Sequence, residues 1–106
     1  MADRLLSSVI GRLAEDEQIS IRDLRLLALL VERGRLTVSD AAPLLERDRA
    51  AASRAAAQLV SLGFAGREID PDDRRIAWFS PTKKGLALHA LVIKRLGQSH
   101  TQDTAA

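Results

Sequence analysis

The feature that most constrains the fold of this 106-residue chain is a change of hydrophobic period at Phe64. Upstream of it, apolar residues recur at helical spacing. From Phe64 two short runs follow, FAGREI and RIAWFS, with β-branched and aromatic residues on either side of DPDDR. Pro presets φ for the second position of a turn, and Asp side chains bond nearby N–H groups. The pattern predicts a β-hairpin with an exposed tip. Helical signals return at Thr82, which can cap a last helix running to about Arg95.

The upstream part divides at its capping signals. Leu5, Leu6, Val9, Ile10 and Leu13 form one stripe, which predicts an amphipathic helix over Asp3 to Asp16. Ser20 with Asp23 three residues on marks a second helix start, and Ile19 can staple to Leu24. Leu24, Leu26, Leu27, Leu29, Leu30 and Val31 cover most of that helix's circumference, which predicts burial on more than one side. Gly34 suits the position just past its end. Leu36 to Val38 reads as a strand of at most three residues. Ser39 is the expected cap of a short helix from Asp40 to Glu46, with Pro43 in or just beyond its first turn. Arg47-Asp48 is a tight connection, and Asp48 can cap a helix from Arg49 to about Leu62, ended by Gly63.

The resulting order is helix, helix, short strand, helix, tight turn, helix, hairpin, helix. It predicts an α+β, mostly α chain: a winged helix-turn-helix with flanking N- and C-terminal helices. In that motif the second helix of the pair can enter a major groove, and the hairpin can reach flanking backbone or minor groove. Residues 1–97 are expected to form one domain, with the motif itself at 36–85. The polar stretch 98–106 is expected to be a disordered tail.

Composition narrows the class. Aromatic residues make up 3% of the chain, so its core must be aliphatic and alanine-rich, which suits packed helices. There is no Cys, which excludes disulfides, cysteine-ligated zinc and a thiol-based oxidant sensor. The first apolar cluster is too short and broken for a secretory signal, and no run approaches the ~18 apolar residues of a membrane span, so the expected location is the cytoplasm. Net charge is +2, but 13 of the 16 basic residues are Arg. Guanidinium suits bidentate contact with phosphate; a GC-rich genome gives the same bias. No nucleophile–base arrangement or Gly-rich phosphate loop is present, so neither an enzyme nor a cofactor is expected.

The hairpin tip, IDPDDRRIAW, admits several readings. A calcium loop of the EF-hand kind needs oxygen ligands at its first, third and fifth positions, Gly at the sixth and Glu at the twelfth. Counted from Asp70, those last three are Arg74, Arg75 and Pro81, so the pattern fails. A catalytic carboxylate pair needs a pocket that drives two pKa values apart, which a solvated tip does not supply. A plain charged turn remains, as does a turn that touches a polyanion. The latter requires at least one aspartate to be bonded internally, to an arginine or to turn N–H groups, while the other arginine points outward. Arg74 and Arg75 are both candidates, since consecutive strand residues face opposite sides. His89 and His100 stand alone, and no metal site is expected.

On the helix from Arg49, positions Ala52, Ala55, Ala56 and Leu59 fall on one face. The other side carries Ala50, Ser53, Arg54, Ala57, Gln58 and Ser61. Arg54 can take a phosphate or a guanine edge, Gln58 an adenine edge or phosphate, and an alanine a thymine methyl. Arg49 sits in the first turn, where N–H groups also face an anion. The plain alternative is a solvated face with scattered arginines. Lys83 and Lys84 oppose the dipole at the start of the last helix; a nearby phosphate would explain them, and solvation is the simpler account. On that helix Leu86, Ala90 and Ile93 form one stripe and Leu88, Leu91, Val92 and Leu96 another, which suggests one face to the core and one to a partner subunit.

The stretches LTVSDAAPLLERDRAAASRAAAQLVSLGF (Leu36 to Phe64) and REIDPDDRRIAWFSPTKKG (Arg67 to Gly85) together resemble the MarR family of bacterial transcriptional regulators. The shared pattern is an LTVSELA-like opening, an SR-containing recognition helix, and a D-P-x-D-R-R wing before T-x-x-G. The resemblance implies a homodimeric regulator of double-stranded DNA, with recognition helix 49–62 and wing 67–80. It also implies a possible small-molecule effector. The implied DNA-binding residues are Arg49, Ala50, Ser53, Arg54, Gln58, Arg74 and Arg75, with Asp70 and Asp73 bracing the wing. The chain departs from the pattern in three ways. Ala52, Ala55 and Ala56 replace larger apolar residues, Pro81 replaces Leu, and the chain stops soon after the last helix, where the family continues into longer dimerisation helices. A rival reading is a winged-helix protein-interaction module without DNA binding. From Arg47 to Arg75, six Arg face five carboxylates, which is hardly a basic footprint.

Overall fold

Ser20 opens the first described helix with a complete capping box. Its hydroxyl accepts from the Asp23 N–H at 3.2 Å, and the Asp23 carboxylate accepts from the Ser20 N–H at 3.2 Å. The helix that follows, α1 (Ile21–Arg33), ends at Gly34, whose φ of 87° falls in the region that glycine enters without strain. The computed structural model describes residues 19–105, with side chains as far as Gly97. The helix expected over Asp3 to Asp16 lies outside the described residues.

After Gly34 the chain makes a single β-bridge at Leu36, within the strand of at most three residues expected there. Leu36 exchanges both backbone hydrogen bonds with Phe79, at 3.0 and 2.9 Å. That bridge holds Thr37 extended, so Thr37, not Ser39, caps the next helix by accepting from the Asp40 N–H at 3.1 Å. The helix is α2 (Val38–Leu44), about two residues earlier than the expected Asp40 to Glu46. Pro43 therefore lies inside it, beyond the first turn, where it removes one helical donor. Glu46, at φ 54°, turns the chain. Asp48 then accepts from the Ala51 N–H at 2.7 Å and caps α3 (Arg49–Ser61).

Gly63, at φ 83°, ends the turn after α3. Strands β1 (Ala65–Ile69) and β2 (Ala77–Pro81) pair antiparallel in the register Ala65↔Pro81 to Ile69↔Ala77. Thr82 caps the last helix, α4 (Lys83–Ala105), by accepting from the Gly85 N–H at 3.1 Å. This helix passes the expected end near Arg95, and its backbone is helical through Ala105. Nothing after Gly97 breaks a helix, and adding residues to one already nucleated is cheap.

The core gathers Ile19 just before α1, Leu26, Leu27 and Leu30 of α1, Leu59 of α3 and Phe64, all nearly inaccessible. Each such side chain contributes about 1.5–3 kcal/mol relative to exposure. Ala52, Ala55 and Ala56 are buried with them. Their small size lets α3 lie close against α1 and α2, which is the structural counterpart of the larger residues they replace. On α4, Leu88 and Val92 are buried while Leu86, Leu91 and Ile93 are exposed. Leu91, which shares a stripe with Leu88 and Val92 by spacing, is thus exposed while they are buried.

Candidate nucleic-acid interface

With its alanine face buried, α3 presents Arg49, Ala50, Ser53, Arg54 and Ala57 to solvent, with Gln58 half-buried at the edge. The Arg49 side chain and the positive end of the helix dipole both favour anions at the first turn, where Asp48 already takes the Ala51 N–H. Guanidinium, hydroxyl, amide and methyl groups thus share one helix face, the group types that can meet base-pair edges.

The hairpin tip is built from its aspartates. One oxygen of Asp70 accepts from the Asp72 and Asp73 N–H groups at 2.8 and 3.0 Å. Its other oxygen accepts from the Trp78 indole N–H at 2.9 Å. The loop closes where Asp70 N–H donates to the Ile76 carbonyl at 2.9 Å and Ile76 N–H to the Asp73 carbonyl at 3.0 Å. Asp73 takes Arg75 in a fork: Nε to Oδ1 and Nη2 to Oδ2, each 3.0 Å, with the Arg75 backbone N–H also on Oδ1. Arg74 is exposed beside this pair.

These contacts fix the charge state of the tip. The Trp78 hydrogen bond, followed by those of the turn amides, holds the Asp70 carboxyl below its ordinary value. The Arg75 fork does the same for Asp73, and the carboxylate in turn raises the Arg75 guanidinium. Carboxylates pulled down in this way stay ionised at neutral pH and do not act as general acids. Among the described residues no group of three His, Asp or Glu side chains is placed to hold a metal.

Between the start of α2, the first half of α3 and the hairpin lies an open groove of about 570 Å³. Arg49, Ser53, Arg67 and Arg75 line it, together with Asp40 and Trp78. It brings together Arg49, Ser53 and Arg75 from the sequence-predicted set. Ala50, Arg54, Gln58 and Arg74 do not line it. Sequence reasoning missed Arg67, which only strand register puts opposite Phe79 and beside the groove. It also missed Trp78, although a lone Trp next to a charged turn is a usable signal, and Arg35, whose guanidinium lies 4.0 Å from the Trp78 ring centre. Lys84 is not simply solvated. Its Nζ donates to the Leu62 carbonyl at 3.0 Å and lies 4.7 Å from the Phe64 ring centre.

The fold has close counterparts among solved structures. Apo MarR from E. coli superposes with a TM-score of 0.84 at 24% identity, over 96% of this chain and 72% of that one. A mutant of E. coli MarR complexed with operator DNA gives 0.81 at 25% identity, over 96% and 70%. The MepR–DNA complex of S. aureus gives 0.81 at 18% identity, over 97% and 85%. No curated protein matches the chain by sequence. No described helix is long and apolar enough to cross a membrane. The MarR family model matches residues 19–77, more than half of the sequence, and the chain belongs to the MarR family.

Proposed function

We propose that this protein is a transcriptional regulator that binds double-stranded DNA as a homodimer, with α3 in the major groove and the hairpin as a wing on the flanking backbone. The observation that carries the reading is the convergence of the exposed α3 face and the hairpin on one arginine-lined groove. Family membership and the likeness to an operator-bound MarR support it. The site of action is then the cytoplasm.

Each side chain takes a role from its position. Arg49, at the start of α3, takes a phosphate. Ala50, Ser53, Arg54 and Gln58 meet base edges or the adjoining backbone. Asp70 and Asp73 brace the wing. Arg75 is forked to Asp73, which leaves Arg74 as the outward cation of the wing. The exposed stripe Leu86, Ala90 and Ile93 on α4, with Leu91 beside it, is the surface for the second subunit. An effector, if the regulator takes one, has an apolar groove of about 200 Å³ between α1 and α4 as its candidate seat, with Leu24, Val92 and Ile93 in its wall.

The test is binding to its own promoter region and to random duplex across a salt series. Log affinity should fall linearly with log salt. Arg54→Ala should relax preference for the promoter by about 1–3 kcal/mol if it reads a base, and Arg74→Ala should flatten the salt slope by about 0.9 as one phosphate contact is lost. A folded dimer that binds no DNA at low salt would overturn the reading and favour a protein-interaction module.

A further inference from the structure

Arg35 lies outside every DNA-facing element, in the linker between α1 and α2. Its neighbours nevertheless tie it to the wing. Leu36, the next residue, bridges Phe79 through both backbone hydrogen bonds. Phe79 is adjacent to Trp78, and the Arg35 guanidinium sits 4.0 Å from the Trp78 ring centre. The edge of the same ring donates its indole N–H to Asp70. Asp70 in turn gathers the Asp72 and Asp73 amides, and Asp73 holds Arg75. A continuous run of contacts thus leads from the end of α1, through one ring, to the wing tip.

We propose that Arg35 is a positioning residue for DNA binding: stacked on Trp78, it locks the ring against Asp70 and so sets the tilt of the wing toward α3. This rests on the DNA-binding reading above. The geometry favours a brace because the guanidinium sits 4.0 Å from the centre of a ring whose N–H already holds Asp70, so the cation acts on the wing through that ring. Trp78 also lines the groove between wing and α3, so a change in ring position alters the surface DNA would meet.

The chain supplies its own probe. Trp78 is its one Trp and there is no Tyr, so intrinsic fluorescence reports on this ring alone. The experiment compares wild type, Arg35→Gln and Arg35→Lys as full-length protein in three measurements. These are acrylamide quenching of Trp78, hydrogen exchange at the Asp72 and Asp73 amides, and affinity for promoter DNA across a salt series. Arg35→Gln should raise quenching, speed exchange by about two- to fivefold, the weight of one exposed cation–π contact, and weaken DNA binding by a similar factor with the salt slope unchanged. Arg35→Lys should recover part of all three. A slope that falls by about 0.9 with Trp78 unaltered would make Arg35 a phosphate ligand and overturn the brace. Unchanged fluorescence and exchange would overturn it as well, as would altered fluorescence with unaltered affinity. If wild type binds no DNA, the DNA-binding reading fails by itself. The fluorescence and exchange results then decide whether Arg35 orders the wing.

Discussion

The recognition helix and the wing lie on either side of one groove, and they are held by different forces. α3 is fastened by apolar burial: Ala52, Ala55, Ala56 and Leu59 against the core, with a polar anchor at the Asp48 cap. The loop of the wing, residues 70–76, buries no large apolar side chain and is fastened by carboxylates. Apolar burial responds little to pH or salt, whereas bonds to ionised groups respond to both. The two halves of the site should therefore come apart under different conditions, the helix with the whole domain and the wing alone.

The largest expected break is Leu59→Ala. It opens a cavity at a fully buried position and should cost about 2–5 kcal/mol in urea unfolding. Gly85→Ala is next. A Cβ there would run into the Phe64 carbonyl oxygen and meet Leu27 Cδ1 at 3.2 Å, so α4 must shift, at roughly 1–3 kcal/mol of overpacking. Asp48→Ala removes the cap of α3 and should lower global stability by about 1 kcal/mol. All three act on the helical core and should lower the midpoint for the whole domain. If Asp48→Ala instead left global stability intact and weakened only DNA binding, the contrast would fail on the helix side.

The smallest global effect belongs to Asp70→Asn. It should leave the unfolding midpoint nearly unmoved while speeding exchange at the Asp72 and Asp73 amides. Acid should reproduce this in the native chain. Asp70 and Asp73 titrate lower when folded than when unfolded, so their stabilisation is complete above the ordinary aspartate value of about 3.9. It is lost as pH falls through that value and the lower folded one. Trp78 fluorescence should follow that titration before far-UV circular dichroism changes. Coincident loss of both signals would mean that wing and helix are one cooperative unit.

What the sequence made legible was mostly local. The Ser20–Asp23 box, the Asp48 cap, the glycines at 34 and 63 and the turn aspartates all act within a few residues, and each is where its pattern put it. The failures lie where a distant partner decides. Thr37 and Ser39 are comparable caps by themselves, and the choice falls to Thr37 because Leu36 is pinned by Phe79. Lys84 reads as a lone surface charge until Leu62 is brought beside it. The placing of Arg35 on Trp78 and of Arg67 in the groove required the register of strands far along the chain.

The junction of Gly63 with Thr82 carries a mechanical consequence. Thr82 donates its hydroxyl to the Gly63 carbonyl at 2.6 Å and its N–H to the Phe64 carbonyl at 3.1 Å, and Lys84 holds Leu62. With Gly85 pressed on the same carbonyl, the base of α4 is riveted to the end of α3. A helix of 23 residues extends about 34 Å from that rivet. It is a long arm on a short hinge, so a swing at its far end would be delivered to the recognition helix as rotation, with little play at the joint to absorb it.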